Sequence, residues 1–379
     1  MGIKKLLPEE HKWFFLILFI ALIYPVHHVL FYFFPPDNYV FNGGHGDEGT
    51  ALALMKSVEW GLRDPWSLEG RTFFSNPTIP SAFVLIPFGF IAFSLKIDYA
   101  LFFIFLKFLF SFAYLFVLYY LVKYFTKTKT EFNIAFTILL LASGIGALLQ
   151  VPSAIATGNY TFAGIFPSTY GLSIDDSGFT ILSQFQHLYR LVALFAGYAA
   201  LLFFIRKQNV YSSFFIGLSA LAHPFLASVF IFFIFLYAFI HRNFNNFIPI
   251  AIAFVIFSLP WIMIYFEDPS SFQAAHKEEA FLPAVLISGG VPLLFSSYLL
   301  YKKLEVPRLA VGLAISFALL SIAQLSLLGA LQLDKWLYIA LQAPFFAFAA
   351  ILSFLLVRNE KDKNYLFVAL MLLLLLALS

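Results

Sequence analysis

Apolar runs long enough to cross a bilayer follow one another along this chain with little polar sequence between them. They fall at about 13–34, 79–95, 98–122, 132–150, 180–204, 211–240, 246–266, 281–301, 308–331, 336–357 and 364–378. A hydrocarbon layer about 30 Å thick needs about 20 apolar residues per helical span, and backbone polar groups inside it must bond within their own segment. The runs therefore predict an all-α polytopic membrane protein of roughly 10–13 transmembrane helices. Composition agrees: 61% of residues are hydrophobic, 11% are charged and the mean hydropathy is +0.88. Soluble domains stand near 45–50% apolar and near 25% charged, so lipid must solvate much of this surface. Cysteine is absent, which excludes disulfides, Fe–S clusters and thiolate chemistry.

Lys4, Lys5 and Lys12 precede the first run, and no small-residue cleavage site follows it. That pattern predicts an anchored first helix with a cytoplasmic N-terminus. Basic loops recur at Lys123–Lys129, Arg206–Lys207, His241–Arg242, Lys302–Arg308 and Arg358–Lys363. The preference of Lys and Arg for the cytoplasm puts these loops inside and the loops 35–78, 151–179, 267–280 and 332–335 outside. Two places resist this alternation. Runs 79–95 and 98–122, counted as two full crossings, return Lys123 to the outer face. Run 211–240 is too long for one ordinary span and holds His223-Pro224, where proline removes a donor and disfavours helix just before it. Two short helices meeting at His223, or one kinked span, both fit. No repeat or linker divides the sequence, which predicts a single membrane domain over 1–379 without a large soluble part.

The first outer loop is the most informative stretch. Gly43-Gly44-His45-Gly46-Asp47-Glu48-Gly49 leads into a segment in which Ala51, Leu54, Met55, Val58 and Leu62 keep helical spacing while Lys56, Ser57 and Glu59 fall elsewhere. This predicts an amphipathic juxtamembrane helix over 50–62, lying in the interface. Asp47 at or before its N-terminus has two compatible roles, an N-cap or a rigidly held functional carboxylate. Glu48 also reads as charge complementing the helix start. The glycines around His45 suit turns, and no P-loop pattern is present.

A second cluster begins at Asp175-Asp176, which also reads as a solvated turn. Beyond it Ser183, Gln186, His187 and Arg190 share one helical face at i, i+3, i+4 and i+7. Arg190 would lie about 16 Å along that helix from Phe179. An arginine at bilayer depth costs about 2.5–3.5 kcal/mol on the lenient scale, so it must face a partner or a cavity. A guanidinium suits bidentate phosphate binding, and a structural ion pair is the other reading. His223 reads as an interior histidine or as part of an outer-face cavity. The polar stretches 265–268 and 276–279 form a third outer loop, long enough to cover a site.

In order, these features resemble the GT-C superfamily of membrane glycosyltransferases, such as protein mannosyltransferases and aminoarabinose transferases. The matching residues are Asp47-Glu48, the helix 50–62, Asn76-Pro77-Thr78-Ile79-Pro80 and Gly217-Leu218-Ser219-Ala220-Leu221-Ala222-His223-Pro224. The match spans the first 240 residues, with 241–379 as additional C-terminal helices. Gly49 and Thr50 depart from the pattern, which often has an aromatic soon after the acidic pair. The large soluble C-terminal domain of the oligosaccharyltransferase has no counterpart, which favours a lipid or glycan acceptor over a protein one.

The resemblance implies a polyprenyl-phosphate-linked sugar as donor, inversion at the anomeric carbon, and a site on the outer face of the cell membrane. It makes Asp47 the general base assisted by Glu48, and Arg190, His187 and His223 the phosphate-side set. His45, Asp175, Asp176 and Gln186 become candidates for lining the substrate cavity. Asp47, Glu48, Asp175 and Asp176 could share Mg²⁺ or Mn²⁺, although the expectation leans to no metal and no cofactor. Nothing points to nucleic acid. A multi-pass transporter or a flippase of lipid-linked glycans is the competing class, kept open by Arg190 and the break at His223.

Overall fold

The computed structural model describes residues 11–34, 46–62, 82–125, 129, 132, 133, 136, 188–240 and 242–267. Among them every regular element is helical. The elements are α1 (His11–Phe33), α2 (Gly46–Lys56) continued by a 3-10 turn (Ser57–Trp60), α3 (Ala82–Leu95), α4 (Tyr99–Phe125), α5 (Leu188–Ile205), α6 (Asn209–Ala222), α7 (Pro224–Ile240) and α8 (Phe244–Glu267). Within α4, α5 and α8 the stretches Tyr99–Tyr124, Leu188–Ile205 and Phe244–Ile262 are long and apolar enough to cross a membrane. The expected runs beyond residue 280, and most of 132–150, lie outside the described residues, and so does the larger part of the count of ten to thirteen.

Packing divides the chain into two compact units. One comprises Met1–Leu118, Phe185–Ala227 and Pro249–Phe272, the other Tyr119–Gln184, Ser228–Ile248 and Gln273–Ser379. In the second unit Tyr119 packs edge-on against Phe132 and Phe136, and Phe235 meets Phe244 and Phe247. The candidate site belongs to the first unit.

Helix directions in that unit follow from side-chain pairs. Phe14 meets Phe112 at 5.8 Å, and the Tyr32 hydroxyl reaches the Asp98 carboxylate, so α1 and α4 run antiparallel. Asp98 also caps α4, accepting the Leu101 N–H at 3.0 Å. Between them α3 forms a hairpin with α4 through the turn at 96–98, with Phe88 on Phe110 at 5.7 Å. The chain therefore leaves α1 and enters α4 at the same end of the unit. The 14 described residues of α3 span about 21 Å, and Lys123 stands in the last turn of α4.

Phe110 against Phe195 and Tyr114 against Tyr198 set α5 parallel to α4. α6 then returns antiparallel: the Ser212 hydroxyl donates to the Ala200 carbonyl and the Ser219 hydroxyl to the Ala193 carbonyl, each at 2.8 Å. The connecting turn holds Arg206 and Lys207, at the same end as Lys12. α8 runs parallel to α6, because Gly217 faces Phe257 and Leu221 faces Trp261. Trp261 lies 17 residues into α8, about 25 Å along it. Run 211–240 is broken at the extended residue His223, as Pro224 leads one to expect.

Lipid contact is legible on α1, where Phe15, Phe19, Leu22, Val26, Leu30 and Phe33 are exposed along one face while Ile17, Ile20 and Ala21 are buried. A continuous exposed apolar stripe fits a helix solvated by lipid. α5 is the opposite case: only Tyr189, Phe195 and Phe203 reach its surface, and then partly. Four helical segments end in the same way. Gly61, Lys96, Lys207 and Arg242 take positive φ of 70°, 53°, 60° and 52°, and the residue after each bonds back across the last turn. Glycine adopts that conformation without cost, while the three cations incur strain and sit beside orphan carbonyls.

Candidate functional site

The first-loop helix takes the face the sequence assigns it with two exceptions, one being Leu62, which lies past the last turn at Trp60 with a positive φ and is half-buried. Ala51, Leu54, Met55 and Val58 are buried and Lys56 and Glu59 exposed, but Ser57 is buried too, donating its hydroxyl to the Leu54 carbonyl at 2.6 Å. Three residues per turn in the 3-10 segment bring Ser57 under Leu54, a shift the 3.6-residue period does not foresee. The helix begins at Gly46, so Asp47 and Glu48 stand in its first turn rather than before it. Opposite Met55, Gly89 of α3 lets the two backbones touch: a Cβ there would meet the Met55 carbonyl carbon at 2.9 Å and its oxygen closer still. The Tyr99 hydroxyl lies beside the Glu59 carboxylate and ties the far end of the segment to the start of α4. α2 also packs against α5.

On α5, the register set by the two serine bonds brings Tyr189 opposite His223. The rings stack at 6.0 Å with 14° between planes, and the Trp261 ring lies 6.1 Å from the imidazole, tilted by 30°. His223 is a single extended residue, φ −163° and ψ 94°, between α6 and α7, and is only 4% exposed. Pro224 explains the conformation, since it disfavours helix in its predecessor. The break leaves helix-end carbonyls without helical donors, and the Trp261 Nε1–H supplies one to Leu221 O at 3.0 Å. Arg190, 7% exposed, places its guanidinium carbon 5.8 Å from the Tyr189 ring. Tyr189 thus links the cation to the stacked histidine.

Arg190 and His223 are therefore brought into one cluster, and α2, which carries Asp47 and Glu48, rests on the helix of Arg190. His187, His45, Asp175, Asp176 and Gln186 lie outside the described residues. Among the described residues no group of three His, Cys, Asp or Glu is arranged to hold a metal ion.

Three participants escape the sequence reading. Tyr189 and Trp261 look like ordinary apolar-helix aromatics, because only the register of α5, α6 and α8 converges them on His223. Lys107 was legible as the one charge between Tyr99 and Val122. It is fully buried on α4, with its Nζ 5.4 Å from the Phe103 ring.

No protein-family model matches this chain, and neither does any curated protein or solved structure. Fold and composition define an all-helical protein with helices suited to crossing a membrane, and its function is argued from the site.

Proposed function

We propose that this protein is an integral membrane glycosyltransferase that moves a sugar from a polyprenyl-phosphate carrier to a lipid, glycan or protein acceptor, with inversion. The reading is carried by one observation: the helix opening on Asp47-Glu48 packs against α5, which holds a nearly buried arginine. Asp47, assisted by Glu48, takes the proton from the acceptor hydroxyl as its oxygen bonds to the anomeric carbon. The bond from that carbon to the phosphate oxygen breaks, and the electron pair leaves with the phosphate. Arg190, with His187, stabilises that charge in a setting where water competes weakly. His223, stacked on Tyr189, braces it and through it Arg190. The basic ends of α1 and of the α5–α6 turn support a cytoplasmic N-terminus, with the site opening on the outer side of the cell membrane.

The test is transfer of radiolabel from a panel of polyprenyl-phosphate sugars to acceptors in native membranes by purified protein. Asp47→Asn should abolish transfer while leaving thermal stability and donor binding near wild type. Undiminished transfer by that variant sinks the assignment.

A transporter or flippase is the second reading, favoured by the helix break at His223 and the buried Lys107 on a spanning helix. Movement of a lipid-linked glycan across proteoliposomes, without transfer of its sugar, would select it.

A further inference from the structure

We propose that the carboxyl-terminal tip of α8 is a latch: the segment Trp261–Glu267 pivots at Pro260, and the Trp261 indole closes it beside His223, Tyr189 and Arg190. Both His223 and Arg190 are nearly inaccessible as they stand, so a ligand reaches them only after a neighbour moves. That a ligand does reach them is taken from the reading above; the motion itself is tested without reference to sugar transfer.

Pro260 is a built-in weak point of α8. It has no N–H to bond the Ile256 carbonyl, and its ring crowds that carbonyl, so a bend falls there at little further cost. The two sides of this point are held to α6 differently. One turn before it the helices are wedged together, since the Phe257 ring stands where a Gly217 Cβ would be, 2.6 Å from that position. The tip beyond Pro260 is about two turns long. There Ile262 is exposed and Trp261 is buried, its Nε1–H donating to Leu221 O at 3.0 Å and its ring 6.1 Å from the imidazole. Among the described side chains of the tip, the indole alone makes the attachment.

The receiving end is a helix break as well. Leu221 O lies in the last turn of α6, which ends because His223 is extended before Pro224. Two proline-made weak points, one in each helix, are thus joined across α6 and α8 by one hydrogen bond and one ring contact. Segments tied by so few contacts open locally without unfolding the rest, which is the physical basis of a hinged closure. Release of the indole also withdraws one of the largest side chains from the cluster.

The chain contains no cysteine, so an introduced thiol is a unique reporter. Ala222→Cys places one next to His223, and Ala200→Cys places another where Ser212 bonds the α5 backbone, at the far end of α6; both alanines are fully buried. The full-length protein in detergent is treated with a maleimide, and the rate of modification is followed by mass spectrometry. Trp261→Phe keeps an aromatic ring but removes the donor. It should speed labelling of Ala222→Cys about fivefold, the worth of one ordinary hydrogen bond, and leave Ala200→Cys unchanged. Pro260→Ala restores the donor to the Ile256 carbonyl and should slow labelling of Ala222→Cys.

An Ala222→Cys rate indifferent to Trp261→Phe overturns the latch. Equal acceleration at Ala200→Cys overturns it too, because the indole would then be supporting the whole bundle. Labelling no slower in Pro260→Ala overturns the pivot. The two readings fail separately: Asp47→Asn reports on transfer, whereas the labelling rates stand even if Asp47 proves dispensable.

Discussion

Gly89→Ala tests the contact that holds the first-loop helix in place. The added Cβ would stand 2.9 Å from the Met55 carbonyl carbon and 3.0 Å from its Cα, with the carbonyl oxygen nearer still. These are backbone atoms, so no rotamer change relieves them, and α2 itself must move. Overpacking of this kind costs about 1–3 kcal/mol, and a rigid backbone neighbour puts the site near the top of that range. Replacing glycine by alanine inside a helix returns about 1 kcal/mol of propensity, leaving a net loss of about 2 kcal/mol. Gly217→Ala is the internal control. Its Cβ would come 2.6 Å from the Phe257 ring, but that ring is 42% exposed and can swing toward lipid. The expected cost there is below about 0.5 kcal/mol once propensity is counted. Thermal unfolding of both variants in the same detergent gives the comparison, with Gly89→Ala melting several degrees lower. Because α2 carries Asp47 and Glu48, the folded fraction of Gly89→Ala should also transfer sugar more slowly. A Gly89→Ala protein as stable as Gly217→Ala would refute the claim that backbone contact fixes α2 on α3.

Ser212→Ala and Ser219→Ala each remove one hydroxyl-to-carbonyl bond between α5 and α6, and each should cost about 0.6 kcal/mol, read as melting temperature. Because these bonds set the register that brings Tyr189 to His223, the double variant should also reduce quenching between Trp261 and its neighbours. Lys207→Gly removes the strain of a left-handed lysine and should stabilise the protein by up to about 1 kcal/mol, less the lost charge at the α5 carboxyl end. A fall in stability would mean that the charge outweighs the strain. Asp47→Asn, set out above, addresses transfer.

The residues legible in advance were those whose role depends on local pattern. The apolar stripe of α1 follows the helical period, and the break at His223 follows from Pro224 alone. The buried face of α2 came out of spacing, apart from Ser57, where the helix tightens. Arg190 stood out because a guanidinium in an apolar run demands an explanation wherever the helix goes. Lys107 met the same criterion, as the one charge between Tyr99 and Val122.

The sequence by itself determined the solvent and the secondary structure of this protein. Too little charge and runs of spanning length leave helices in lipid as the stable solution for these segments, since backbone polar groups there must bond within their own segment. It also determined where helices break, because proline acts on its immediate neighbours. Tertiary structure decided direction and convergence. The pairing of α3 with α4 and of Tyr32 with Asp98 sets the relative directions of α1, α3 and α4. Tyr189, His223 and Trp261 stand far apart along the chain, and hydrogen bonds between helices, absent from any local pattern, stack their rings. Those contacts depend on register, which comes from the joint packing of whole helix faces rather than from any single segment.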